Sequence, residues 1–69
     1  MDKELKKRFL MVYQNLPLKE RRNTILLIEN KKDKDKKEPI SWDIAYIEIE
    51  QETKTGEEIL NKLIRLNLI

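Results

Sequence analysis

Apolar residues in the first sixteen positions recur at helical steps. Leu5, Phe9, Val12, Tyr13 and Leu16 are separated by four, three, one and three residues, which puts them on one stripe of a helix. Asp2 and Glu4 fall where the positive end of the helix dipole favours acids. Asn15-Leu16-Pro17 ends the helix, because the residue before proline is pushed out of helical geometry. A short turn through Leu18–Asn23 follows. Thr24–Asn30 (TILLIEN) is brief, β-branched and apolar on both faces, the pattern of a buried strand.

Residues 31–38 (KKDKDKKE) alternate in charge and offer nothing to a core, so they read as a solvated loop between two hairpin strands. Pro39-Ile40-Ser41 then turns back along the first strand. The next stretch carries two conflicting periods. Ile47-Glu48-Ile49-Glu50 alternates like a strand, whereas Trp42, Ala45, Tyr46 and Ile49 form a helical stripe behind Ser41, a good N-cap. The helix is the better reading, since one continuous strand would put Glu48 and Glu50 on the face of Trp42 and Tyr46. Thr55-Gly56-Glu57-Glu58 has the spacing of a capping box, with Thr55 as cap and Glu58 reaching back. Ile59, Leu60, Leu63, Ile64 and Leu66 give the last helix its apolar face, and Leu68 and Ile69 read as a tucked tail. The expected fold is α+β: an N-terminal helix, a short two-stranded hairpin and two C-terminal helices, in one domain over residues 1–69.

Composition narrows what such a fold can do. A chain of 69 residues buries only about 60% of the surface its unfolded form exposes, so its core is marginal without support. There is no cysteine and no histidine, which removes disulfides, thiolate metal sites and the commonest general base. Charged residues make up 41% of the chain, with Lys and Glu prominent, a balance that hyperthermophile proteins favour. Residues 1–38 carry 12 Lys and Arg against 7 Asp and Glu, and residues 39–69 carry 3 against 6. The halves are therefore +5 and −3, opposite signs that attract within a chain or between chains. No secretory segment and no spanning apolar run is visible, and the expected location is the cytoplasm.

NLPLKERRNTILLIE together with EPISWDIAYIEIEQETKTGEEILNKLIRLNLI resembles short uncharacterised proteins of thermophilic archaea. Those share a hydrophobic stretch, an acidic turn, Ile-Ser-Trp-x-x-Ala-Tyr and a final threonine-capped helix. The likeness covers residues 15–69, with KKDKDKK lengthening a tighter turn, and it implies the layout alone. DIAYIEIEQETKTGEEILNKLIRLNLI is also similar to the helical pair of winged-helix DNA-binding proteins. Here the chain departs from the pattern, since Glu57 and Glu58 stand where base-reading residues sit and no wing follows.

Catalysis finds little footing. Ser41, Thr24, Thr53 and Thr55 lack a histidine or cysteine partner, and Glu48, Glu50 and Glu52 lack a cleft in so small a core. Asp33-Lys34-Asp35 begins like a calcium loop but has Lys37 at the third ligand position and no central glycine. The chain is therefore expected to be no enzyme, with no metal, cofactor or small-molecule substrate. Two contact functions remain. Leu10, Met11, Leu18, Ile44 and Ile47 fall off the main stripes and are the candidate interface for a protein partner or a homodimer. Lys6, Lys7, Arg8, Arg21 and Arg22 are the candidate contacts if the basic half instead binds nucleic acid.

Overall fold

A computed structural model describes residues 1–30, 32–33 and 35–69. The order is helix α1 (Lys3–Gln14), a 3₁₀ turn (Glu20–Arg22), strands β1 (Thr24–Glu29) and β2 (Lys37–Ser41), then helices α2 (Trp42–Glu50) and α3 (Lys54–Arg65). This is the α+β arrangement of helix, hairpin and two helices that the apolar pattern predicts. Asp2 caps α1, accepting from the N–H groups of Glu4 at 2.9 Å and Leu5 at 3.3 Å. Those donors have no partner inside the helix, so the carboxylate satisfies them and meets the helix dipole together.

The strands are antiparallel, with Leu26 opposite Ile40, Leu27 opposite Pro39 and Ile28 opposite Glu38. The Asn30 N–H donates to the Lys36 carbonyl at 3.0 Å. Stepping back by two, Ile28–Glu38 and Leu26–Ile40 are the hydrogen-bonded pairs, and Leu27–Pro39 lies between them. Pro39 therefore sacrifices no ladder bond, and it blunts the outer edge of β2. β2 starts at Lys37, inside the stretch expected to be loop. Antiparallel pairing outweighs the absence of apolar side chains there. Within that stretch, Lys31 and Lys34 lie outside the described residues.

β1 is not buried on both faces. Leu26 and Ile28 enter the core while Leu27 is half exposed. A sheet of two strands has only one helical layer to pack on, and a bulge between Thr24 and Leu26 resets the alternation at Ile25.

Phe9, Leu26, Ile28, Ile40, Ala45, Ile49, Ile59, Leu60 and Leu63 form the core, and no polar side chain is buried among the described residues. Each large member contributes about 1.5–3 kcal/mol by leaving water. Helices α2 and α3 meet so closely that a Cβ on Gly56 would stand 2.9 Å from the Ile49 nitrogen and closer still to the Glu48 carbonyl oxygen. The lone glycine of the chain is thus a contact point between backbones.

The turn between these helices corrects the expected cap. α3 starts one turn's fraction earlier, at Lys54, and its N-cap is Thr53, whose hydroxyl accepts from the Gly56 N–H at 2.9 Å. The sequence Thr53-x-x-Gly56 replaces the box expected from Thr55 and Glu58, because α2 ends by placing Glu52 in the left-handed region at φ 53°. The Thr53 N–H then returns to the Glu48 carbonyl at 3.1 Å, and the Glu52 N–H to Ile49 at 3.0 Å. This double return closes α2 as a Schellman turn and hands Thr53 directly to α3. Asn67, at φ 58°, closes α3 in the same way, with Leu68 bonded back to Leu63 at 2.9 Å. The tail divides there: Ile69 packs on the core, while Leu66 and Leu68 stay open to solvent.

The two capping schemes separate by experiment. Thr53→Ala removes a side-chain acceptor and should cost about 1 kcal/mol in urea unfolding. Thr55→Ala, past the cap, should cost distinctly less.

Candidate functional site

Helix α2 carries apolar residues on two opposite faces, with Asp43, Glu48 and Glu50 between them, and the two faces have different fates. Ser41 starts it by accepting from the Ile44 N–H at 3.2 Å. Ala45 and Ile49 are buried, with Trp42 and Tyr46 packed beside them, as their helical spacing predicts. The other face carries Ile44 and Ile47, one turn apart and 42% and 51% exposed. A helix with apolar residues on two faces is ordinarily covered on both. This one is covered on one.

The inward side of α2 is fixed by an aromatic cluster. Trp42 stacks on Phe9 at 6.0 Å between centroids, and Tyr46 stacks on Tyr13 at 4.6 Å with the rings 9° from parallel. The Arg21 guanidinium lies 4.4 Å from the Tyr13 ring centroid, and its Nη2 donates to the carbonyls of Tyr13 at 3.2 Å and Gln14 at 3.5 Å. A cation is thereby held at the negative end of α1 and against an aromatic face. The Tyr13 hydroxyl donates to Asp43 at 2.6 Å, joining α1 to the first turn of α2. Being the donor to Asp43 raises the phenol above its ordinary value of 10.0, and burial adds to the shift. A proton retained in the fold means stability that is complete below pH 10.0 and lost as pH rises through the higher native value. Phenolate absorbance should therefore show a tyrosine titrating late in the native protein, and Tyr13→Phe should remove it.

The five basic candidates do not gather into one patch of free cations. Lys6 pairs with Glu52 at 3.6 Å and donates to the Glu50 carbonyl at 3.4 Å. Arg21 is bound to α1 and Tyr13 as described. Lys7, Arg8 and Arg22 are exposed, with Lys7 and Arg8 on the outer side of α1 and Arg22 in the 3₁₀ turn. The apolar candidates divide as well. Met11, Leu18, Ile44 and Ile47 are exposed, whereas Leu10 is half-buried against the core. Leu27 joins the exposed set. Nothing in the sequence marks it, since TILLIE is apolar at every inner position and the pairing register comes from the fold.

The acids are likewise dispersed over separate tasks. The Thr53 hydroxyl bonds Glu48, while Glu52 faces Lys6 and the terminal ammonium at 3.9 Å. An open groove of about 310 Å³ between hairpin and α3 is lined by Ile28, Glu29, Asn30, Lys32, Glu38, Thr55 and Glu58. No three acidic side chains among the described residues stand close enough to hold a metal ion. No helix among them is long and apolar enough to cross a membrane. Helices α2 and α3 are joined by a three-residue turn, and Glu57 and Glu58 are both exposed at the start of α3. Compared with known proteins, the chain matches no family model, no curated protein and no solved structure.

Proposed function

We propose that this protein works by contact rather than catalysis, as a small cytoplasmic module that associates with a second polypeptide, its own copy included. The observation that carries the reading is the outer face of α2, where Ile44 and Ile47 lie open on a helix whose opposite side packs on the core. Apolar side chains scattered singly over a surface mean little; two on one turn of one helix make a patch that association can cover. A chain this small also has reason to associate, because burying surface between copies supplements a limited core. Nucleic-acid binding has less support, since Lys6 and Arg21 are engaged within the fold.

Sedimentation of the wild-type protein from micromolar to millimolar concentration tests this reading. The mass should rise with concentration, and Ile44→Ser with Ile47→Ser should suppress the rise without lowering the melting temperature measured at dilutions where wild type is monomeric. A strict monomer across that range would contradict self-association.

A further inference from the structure

Resting on that reading, we propose that α2 receives a particular surface, the outer side of α1 from a second copy, so that the subunits join head to tail. Charge selects the occupant. Helix α2 contains Asp43, Glu48 and Glu50 and no cation, so the charges that the helix itself brings to the Ile44–Ile47 patch are all acidic. Two α2 helices facing each other about a two-fold axis would set those carboxylates against their own copies, which is unfavourable. An occupant must instead combine apolar surface with cations.

The outer side of α1 has that chemistry. Lys7, Arg8 and Met11 are exposed at neighbouring positions of the helix. With Leu5 and Glu4 they line an open groove of about 390 Å³. Glu4 is the one acid there, and it stands four residues before Arg8, which screens it. Isoleucine side chains from α2 fit a groove floored by Leu5 and Met11, while Lys7 and Arg8 meet Glu50 and Asp43. The two surfaces lie on different helices of each copy; joined in one direction only, they make a heterologous contact in which each subunit keeps one face of each kind. The +5 and −3 halves of the chain match such a polar arrangement.

Complementary variants test it. Ile47→Lys blocks only the α2 face, and the pair Lys7→Glu with Arg8→Glu blocks only the α1 face; melting curves confirm that each variant folds. At a concentration where wild type exceeds the mass of a dimer, each variant alone should be monomeric. Mixed in equal amounts, they should form a complex that stops at two subunits, since only one compatible pair of faces remains. That complex should weaken at least roughly tenfold from low to high salt, as screening removes its ionic part. If either variant alone associates like wild type, the head-to-tail contact is wrong although self-association stands. If wild type itself is monomeric, both the contact and the reading beneath it fall.

Discussion

Gly56→Ala should destabilise the fold by about 3 kcal/mol, although alanine is the better helix former by about 1 kcal/mol. The two effects oppose each other, so the sign of the result is informative. Gly56 lies in the first turn of α3 with ordinary helical geometry, and its φ is not positive. Nothing about backbone freedom demands glycine there. Space does, because an added methyl meets the Glu48 carbonyl and the Ile49 nitrogen, which are backbone atoms and cannot rotate aside. Relief requires α3 to move off α2, which loosens Ile49 against Ile59 and Leu60 in the buried core. Urea unfolding measures the change directly. A gain in stability would mean that the helices do not cross at this distance.

Phe9→Ala should have the other large effect, about 3–5 kcal/mol. Phe9 is fully buried, and its ring touches both Tyr13 and Trp42 at 6.0 Å. It is the one residue of α1 that is fully buried, with Leu5, Leu10 and Tyr13 packed beside it. Domains hold roughly 0.05–0.15 kcal/mol per residue, so a chain of this size has about 3–10 kcal/mol in total. The variant should be largely unfolded under mild denaturant, and Trp42 fluorescence should report the loss because the indole stacks on Phe9. A Phe9→Ala protein as stable as wild type would remove α1 from the core.

Much of this architecture is legible in the residues. The helical stripe of α1 holds because its period runs unbroken from Leu5 to Tyr13. Helix α2 is readable despite its alternating Ile-Glu pairs, since Ser41 caps it and Trp42, Ala45, Tyr46 and Ile49 keep one face. What escapes the sequence are features decided by backbone geometry at turns. The cap of α3 falls on Thr53 because Glu52 accepts a left-handed conformation, which its side chain gives no reason to expect. β1 has one open face because the helices pack on the other face alone, and which layers cover a strand is not written in TILLIE. Candidate contacts follow the same division. Ile44 and Ile47 are exposed as their off-stripe positions imply, while Arg21 and Lys6 are withdrawn into the fold by partners eight or fewer residues away in one case and at the far end of α2 in the other. Their roles depend on where Tyr13 and Glu52 come to rest, so local charge clustering could not disclose them.

The claim that α2 presents a working surface is tested most directly by backbone amide shifts across a dilution series. From millimolar to micromolar protein, movement should be concentrated at Ile44 and Ile47 and at Lys7, Arg8 and Met11, with the core amides still. Shifts centred instead on Leu27 and Glu29, or none at any concentration, would contradict it.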